Sequence, residues 1–519
     1  MQCQKHTRYG TIHQHVELEF ISGGRTRVEM QSPQTMLYEL TQSSQSFSAM
    51  LERAYDKHGS TVQRPWGLIL YNDEITPGNQ LRQQNPRKFE GFYWTLAEFG
   101  MENLCDEEAW LECLILQSSI RKRIAGGLSA VTAAVIKAFF TGEHDMRLAG
   151  ITLVLFSGRS IHIWVRLRIV VADESALHAM HGNMGSSGLK ICMLCNNVYN
   201  WRYVQNLEDL ARAGGITHTC TDPARLQLAD DALMRAIQTR LQSAKLNLGK
   251  GAFERLQTEL GWKISPLLTD PALVDIVSPA RQAIHDSMHV LYVRGVFNYH
   301  VGVMAHRLRE HGLTATMFDS YVQRWIWPAH AKMAGKDAFS PPRAKSLYES
   351  QVFVCQASEG LSLTPVLANY LEQGALRHAN PEVREHAECF LKLVEVIELI
   401  LNSARYDVPG GRVDAACKRY LEQYRALYTE ECMQPKFHEL LHFGRFLLQF
   451  GWVPNCFVLE RKHKEPKRFG GDNPRSNSNY SSMVMREVTA RHLAVLQDEA
   501  SVHFRRDAAL IGPVRPTKQ

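Results

Sequence analysis

Residues 67–74 read Gly-Leu-Ile-Leu-Tyr-Asn-Asp-Glu, and the expected fold of this chain follows from that pattern. An apolar run ends at Asp73, and the turn signal Thr-Pro-Gly-Asn comes shortly after it at residues 76–79. This is the pattern of a buried strand with an acidic side chain at its end. Residues 167–172 form a second apolar run, which ends at Asp173 ahead of a candidate helix. Two such strands indicate an α/β sheet, although aspartate is also a common turn former at strand ends.

Outside these two strands the chain divides into segments that differ in the spacing of their apolar residues. Short apolar runs bounded by turn residues predict strands at residues 92–96, 151–156 and 161–165, whereas residues 111–140 have helical spacing interrupted by two glycines. We expect a region of unknown role over 1–60, the first part of a sheet core over 61–230, an all-helical insertion over 231–434, closure of the core over 435–470 and a tail with a helix over 471–519.

The composition is that of an ordinary folded protein. Of 519 residues, 45% are hydrophobic and 22% are charged, which is the range of soluble globular proteins. The first residues are polar and lack the apolar core of a signal peptide, and the weakly polar run 125–140 is too short for a membrane span. A net charge of +6 is compatible with nucleic acid but does not by itself predict it. We therefore expect a soluble intracellular protein without a membrane partner.

Eleven cysteines are scattered along the chain, and one close pair stands out among them. Cys192 and Cys195 have the CxxC spacing that lets two thiolates bind one tetrahedral zinc ion. His218 and Cys220 follow downstream and could complete the site. We predict a structural zinc knuckle at about residues 190–221, with two buried cysteines and an incidental histidine as the alternative.

The segment His438-Glu439-Leu440-Leu441-His442 matches the HExxH pattern of zinc peptidases. In that pattern two histidines on one helical face bind zinc, and the glutamate acts as the base. Glu460 lies downstream, where a third zinc ligand could stand. Histidines four residues apart also occur on helices that only pack, and Pro435 fits the first turn of such a helix. A zinc metallopeptidase is therefore an alternative prediction.

Four blocks in a fixed order carry a family resemblance. They are Leu70-Tyr71-Asn72-Asp73-Glu74; Ala172-Asp173-Glu174-Ser175-Ala176 ahead of the CxxC pair; Asp286-Ser287-Met288-His289; and Pro435-Lys436-Phe437-His438 with Leu459-Glu460-Arg461-Lys462-His463-Lys464. Taken together, they resemble the catalytic region of eukaryotic DDE transposases of the CACTA and Kyakuja–Dileera–Zisupton kind. In that family the segment around His438 has the form PKFHxLLH, in which Glu439 is not a required residue.

The resemblance implies an RNase H-like mixed sheet core, interrupted by the helical insertion and carrying the zinc knuckle. It assigns Asp73, Asp173 and Glu460 as the catalytic triad, which would bind two Mg²⁺ or Mn²⁺ ions. Asp286 and His289 would be a motif pair with a structural or substrate-positioning role. The residues expected to contact DNA are Arg461, Lys462, His463, Lys464, Lys467 and Arg468, for which a solvated basic edge is the alternative.

The implied activity is that of a nuclear DNA transposase that works as a homo-oligomer. Metal-assisted hydrolysis of a phosphodiester would free a 3′-hydroxyl, which then attacks target DNA. The family usually carries a further DNA-binding segment, and residues 1–60 show no recognisable one. A truncated, degenerate or domesticated copy that binds DNA without cutting it is therefore a further alternative.

Overall fold

The computed structural model describes residues 6–78, 85–328, 335–473, 479–498 and 504. The strands are β1 (His6–Thr7), β2 (Gly10–Thr11), β3 (His13–Glu19), β4 (Arg25–Gln31), β5 (Trp66–Ile75), β6 (Phe89–Leu96), β7 (Leu111–Gln117), β8 (Ile151–Val154), β9 (Ser160–Ile163), β10 (Val165–Ala172), β11 (Val198–Tyr199), β12 (Ile216–Thr217) and β13 (Ala283–His285).

The α-helices are α1 (Pro33–Ser43), α2 (Gln45–His58), α3 (Met101–Leu104), α4 (Ser118–Arg121), α5 (Gly127–Phe140), α6 (Glu174–His181), α7 (Leu207–Arg212), α8 (Asp231–Asn247), α9 (Lys250–Leu260), α10 (Pro266–Thr269), α11 (Pro279–Gln282), α12 (Ser287–Tyr292), α13 (Val296–Glu310), α14 (Ala315–Arg324), α15 (Pro341–Ser350), α16 (Ala357–Gln373), α17 (Pro381–Asn402), α18 (Gly410–Tyr428), α19 (Pro435–Glu439), α20 (Phe443–Phe450), α21 (Phe457–Lys462), α22 (Lys464–Asp472) and α23 (Tyr480–Gln497).

A five-stranded mixed sheet forms the centre of the protein, in the order β13-β10-β5-β6-β7. Strands β5, β6 and β7 are antiparallel neighbours, whereas β10 and β13 run parallel to β5. Nine of the ten residues of β5 are buried, which agrees with its continuous apolar run. The expected α/β class is therefore confirmed.

Two predictions of secondary structure along the sheet are wrong. Residues 111–117 were expected to be helical but form strand β7, and a long helix begins only at Gly127. Six of the seven residues of β7 are buried, and a short buried strand has the same apolar pattern as a buried helix. Strand β13 was missed inside the expected helical insertion, because three residues are too short to produce a periodic signal.

Helices dominate the remainder of residues 231–434, as expected from their apolar spacing. The longest is α17, which packs against the neighbouring α18. Its N-terminus is capped by the Asn380 side chain, which accepts a hydrogen bond from the Glu382 backbone N–H, and Pro381 fills the first helical position. None of the described helices combines the length and apolar character needed to cross a membrane.

The N-terminal region and the C-terminal helix pack together on the outer edge of the sheet. Helix α23 contacts β7 and β4, and the Arg486 guanidinium donates to the Glu29 carboxylate at 2.7 and 2.9 Å. The Gln31 side-chain amide donates to the Thr489 hydroxyl at 2.7 Å. The predicted helix in the tail is thus present, whereas tail residues 474–478, 499–503 and 505–519 lie outside the described part.

Candidate metal centres

Three aspartates follow one another across the carboxyl ends of the parallel strands. Ala172 of β10 is in register with Asn72 of β5 on one side and with His285 of β13 on the other. The next residue of each strand segment is an aspartate: Asp73, Asp173 and Asp286. Because parallel strands present their carboxyl ends at one edge, the fold brings these three positions together.

Asp73 is buried at this edge. Its Oδ2 accepts a hydrogen bond from the Tyr71 hydroxyl at 3.0 Å, and its Oδ1 accepts one from the Glu74 backbone N–H at 2.7 Å. Burial and the nearby Glu460 carboxylate raise the pKa of Asp73 well above its usual range, and the charge of Asp173 adds to that shift. A carboxyl group in this environment holds a proton or a cation, because two close carboxylates repel each other.

Glu460, on α21, reaches the same place from a distant part of the chain. Ligand atoms of Asp73, Glu460 and His463 all lie within 4.8 Å of one another and could hold a metal ion. The His463 Nδ1 lies 3.7 Å from Glu460 Oε2 and 3.8 Å from Asp73 Oδ2. Burial alone would raise the pKa of Glu460, but the neighbouring His463 outweighs it and lowers the pKa to about 2.

Asp173 and Asp286 each cap the helix that follows their strand. The Asp173 Oδ1 accepts a hydrogen bond from the Ala176 backbone N–H at 2.6 Å, and Asp286 accepts from the backbone N–H groups of Met288 and His289. Asp286 also accepts from the Cys456 backbone N–H at 2.9 Å. Since Cys456 is the N-cap of α21, this bond ties the segment that carries Glu460 to the end of β13.

His289 lies between the aspartates and helps to balance their charge. Its Nδ1 hydrogen bonds to Asp286 Oδ2. Burial would lower the pKa of His289, but that bond and the charges of Asp73 and Asp173 raise it to about 9. The predicted motif pair therefore belongs to the carboxylate site, with Asp286 contacting the α21 segment and His289 facing the acidic groups.

A second centre is formed by two cysteines and two histidines. Cys192, Cys195, His438 and His442 are buried, and their ligand atoms lie within 4.8 Å of one another. The S–N distances are 3.4 Å for Cys192–His442, 3.5 Å for Cys195–His442 and 3.6 Å for Cys195–His438, and the two Nε2 atoms are 3.2 Å apart.

These distances match the geometry of a tetrahedral zinc site. With zinc bonds of about 2.3 Å to sulfur and 2.0–2.1 Å to nitrogen, tetrahedral ligands lie about 3.6 Å (S–N) and about 3.3 Å (N–N) apart. The chemistry of the donor set fits as well, since Cys₂His₂ is a common structural zinc set. These four residues could bind a metal such as zinc, as predicted for the two cysteines.

The other two predicted zinc ligands have different partners. The His218 Nε2 lies 3.0 Å from the Met433 carbonyl oxygen, and the Cys220 thiol donates to the Asp222 carbonyl at 3.6 Å. The geometry therefore replaces His218 and Cys220 with the two histidines of the α19–α20 segment. The cluster is therefore completed by ligands from a distant segment and not by residues within 190–221.

The same arrangement bears on the peptidase alternative. The HExxH histidines face two thiols, whereas the expected third ligand, Glu460, belongs to the other cluster. Glu439 is buried, with its Oε2 3.8 Å from His285 Nδ1. The ligand set and the accessible base that a zinc peptidase needs are thus not assembled at this helix.

The basic residues expected to contact DNA fall into two groups. Arg461, Lys464 and Arg468 are exposed, and Lys467 is half-buried. Lys462 is buried, and its charge is balanced inside the protein by the Glu112 carboxylate, which lies 3.1 Å away. His463 is also buried, so the structure corrects the expectation for these last two side chains.

The sequence does not predict the composition of either cluster. His438 and His442 have HxxxH spacing, but nothing in the sequence indicates that the CxxC pair contacts them. The spacing of Glu460 and His463, three residues apart on a helix, could have suggested a shared site.

A scan against protein-family models and a search of curated proteins both gave no match for this chain.

Proposed function

We propose that this protein is a metal-dependent DNA strand-transfer enzyme of the DDE transposase type. The observation that carries the proposal is that Glu460 reaches Asp73 from a distant part of the sequence, at the sheet edge where Asp173 directly follows the neighbouring strand β10. Carboxylates from separate elements that converge on one point are what two-metal phosphoryl transfer needs.

The arrangement of the strands supports an RNase H-like core. The sheet combines an antiparallel meander, β5-β6-β7, with two parallel strands added on the other side of β5. Asp73 lies two residues before the end of β5, and Asp173 directly follows β10. The third carboxylate, Glu460, comes from a helix after the large helical block. The resemblance in sequence implies this same arrangement.

Each residue of the site has a defined task in this proposal. Asp73, Asp173 and Glu460 would hold the catalytic Mg²⁺ or Mn²⁺ ions, which activate the attacking oxygen and stabilise the leaving oxygen. Asp286 keeps the Glu460 segment in place through the Cys456 amide. Exposed side chains such as Lys464 would bind phosphates of the DNA backbone. A nuclear location and a homo-oligomeric active form belong to the same proposal.

The proposal is tested by measuring nicking of supercoiled plasmid and joining of duplex oligonucleotides with Mg²⁺ or Mn²⁺. Asp73→Asn, Asp173→Asn and Glu460→Gln should each lower both rates about a thousandfold or more, because metal stabilisation of the transition state contributes several kcal/mol. Glu74→Gln is the matched control, since this exposed neighbour of Asp73 pairs with Lys88 and should leave both rates unchanged. Inactive wild-type protein, or activity that survives in Asp73→Asn, would contradict the proposal.

A further inference from the structure

His463 occupies the carboxylate site without a hydrogen bond of normal length. Its side chain is 1% exposed, and its Nδ1 faces Glu460 and Asp73 at 3.7 and 3.8 Å, beyond hydrogen-bond distance. Its Nε2 is buried with no hydrogen-bond partner in the described part of the chain. The Nδ1 edge of this buried imidazole therefore faces two acidic groups at 3.7 and 3.8 Å, where a cation between the three groups would bind all of them.

Two tyrosines hold the ring in position. His463 stacks on Tyr71 at a centroid distance of 6.2 Å and on Tyr93 at 5.6 Å, with interplanar angles of 24° and 29°. Both tyrosines are fully buried on neighbouring strands of the sheet. The His463 ring therefore lies nearly parallel to the two tyrosine rings, and its Nδ1 faces the two carboxylates.

The spacing of the three groups suits a shared ion. In an octahedral site with bonds of about 2.1 Å, adjacent ligands lie about 3.0 Å apart and opposite ligands about 4.2 Å apart. The His463 Nδ1 distances of 3.7 and 3.8 Å lie between these two spacings, so small side-chain movements are enough to bring the three groups, which all lie within 4.8 Å of one another, around one ion. Three such groups in contact need a positive charge among them, which either a proton on Nδ1 or a bound cation supplies, and a cation would contact all three at once.

We propose that His463 binds the same metal ion as Asp73 and Glu460, and that it makes this centre prefer a transition-metal ion such as Mn²⁺ over Mg²⁺. Mg²⁺ selects oxygen ligands and near-ideal octahedral geometry, whereas first-row transition-metal ions accept imidazole nitrogen, Mn²⁺ the most weakly among them. The inference rests on the proposed function, because the same carboxylates hold the ion there. It adds the identity of a ligand and the class of metal.

The experiment measures metal binding by the full-length protein with its Cys₂His₂ centre loaded with zinc. Mn²⁺ is titrated and followed by electron paramagnetic resonance, and protein carrying ¹⁵N-histidine reports whether a histidine nitrogen is coupled to the bound Mn²⁺. We expect that coupling in the wild-type protein and its loss in His463→Gln. The same variant should bind Mn²⁺ at least about tenfold more weakly and change Mg²⁺ affinity by less than about threefold.

His289→Gln is the matched control, because His289 also faces the acidic groups but should leave the nitrogen coupling intact. Zinc content and circular dichroism report whether both variants fold, and a coupling lost in His289→Gln but kept in His463→Gln contradicts the inference. A wild-type spectrum without histidine coupling overturns the inference, as does an equal loss of Mg²⁺ and Mn²⁺ affinity in His463→Gln. If the His463 inference fails in either way but Mn²⁺ binding is lost in Asp73→Asn, the proposed function still stands. If Mn²⁺ binding survives in Asp73→Asn, both the inference and the proposed function are contradicted.

Discussion

At the scale of single residues, Cys192 and His442 of the Cys₂His₂ cluster each have a pKa shifted towards the form that binds zinc. Burial would raise the pKa of Cys192, but contacts with Cys195 and the histidines lower it well below its usual value. Burial lowers the pKa of His442 to about 4, so that its ring is neutral at physiological pH. A thiolate and a neutral imidazole are the forms that bind the metal.

The zinc assignment predicts a difference between two buried cysteines. Cys192→Ser and His438→Asn should each lose most of one equivalent of zinc, because each removes a ligand from a closed tetrahedral set. Unfolding free energy should fall by about 4 kcal/mol when wild-type protein is measured with zinc at a thousand times its dissociation constant. Atomic absorption and thermal unfolding check the two values.

Cys220→Ser is the control for this experiment. Its thiol was predicted from sequence to be a ligand, but it hydrogen bonds to the Asp222 carbonyl. The variant should keep its full zinc content. Zinc loss in Cys220→Ser, or full retention in Cys192→Ser, would show that the four-residue cluster is not the binding site.

At the scale of elements, a buried ionic cluster joins α21, β7 and α23. Lys462 Nζ lies 3.1 Å from Glu112 Oε1, and His492 Nδ1 lies 2.8 Å from Glu112 Oε2. Because Lys462 is on the same short helix as Glu460, the cluster fixes the helix that supplies a candidate metal ligand. Removing one member would leave an unpaired buried charge, which typically costs about 3–5 kcal/mol.

The pH dependence of stability tests this cluster. Burial would raise the pKa of Glu112, but Lys462 and His492 outweigh it and lower the pKa from its ordinary value of 4.5 to about 2. A folded-state pKa below the unfolded one stabilises the protein above pH 4.5, and that contribution is lost as pH falls towards 2. The unfolding free energies of wild type and Glu112→Gln should differ most at pH 5–7, by about 3 kcal/mol, and converge in acid.

Urea unfolding at a series of pH values measures that difference. Glu108→Gln is a suitable control, because this residue contributes its backbone carbonyl to His492 and not its carboxylate. A difference between wild type and Glu112→Gln that stays constant from pH 7 to pH 3 would contradict the low pKa and the role of the ion pair.

The elements differ in how far the sequence could predict them. The positions of strands β5 and β10 could be predicted because in each an apolar run leads to an acidic residue, and the two strands pair in parallel. The position of strand β13 could not be predicted, because its three residues form a strand only by pairing with β10. Likewise, the spacing of Cys192 and Cys195 predicts a metal site, but local spacing cannot show that His438 and His442 fold against it.

At the scale of the whole molecule, both centres close long loops of chain. The carboxylate centre joins β5 to α21, and the Cys₂His₂ centre joins the knuckle to the α19–α20 segment across the helical block. The two centres are connected through β13, since His285 packs near His442 and the next residue, Asp286, binds the α21 segment. Metal at the cysteine centre would therefore stabilise the scaffold that presents the carboxylates.

The proposed DNA binding is tested at the scale of the whole molecule, with two lysines near Glu460 as the candidate phosphate contacts. Lys464 is exposed and Lys467 half-buried on the helix that follows Glu460, and neither has an ion-pair partner within the described residues. A lysine that contacts a phosphate releases a counterion, so each contact contributes about 0.9 to the slope of log affinity against log salt. Lys464→Ala with Lys467→Ala should therefore reduce that slope by about 1.8 for duplex DNA.

Fluorescence anisotropy with a labelled duplex between about 50 and 200 mM salt measures that slope. Lys345→Ala serves as the control, because this exposed lysine on α15 pairs with Glu349 and lies in the helical block. Lys462→Ala should instead lower stability while leaving the slope of the folded protein unchanged, since its charge is neutralised inside by Glu112. An unchanged slope in the Lys464 and Lys467 double variant would mean that DNA, if bound, lies on another face, and would separate DNA binding from the carboxylate edge of the sheet.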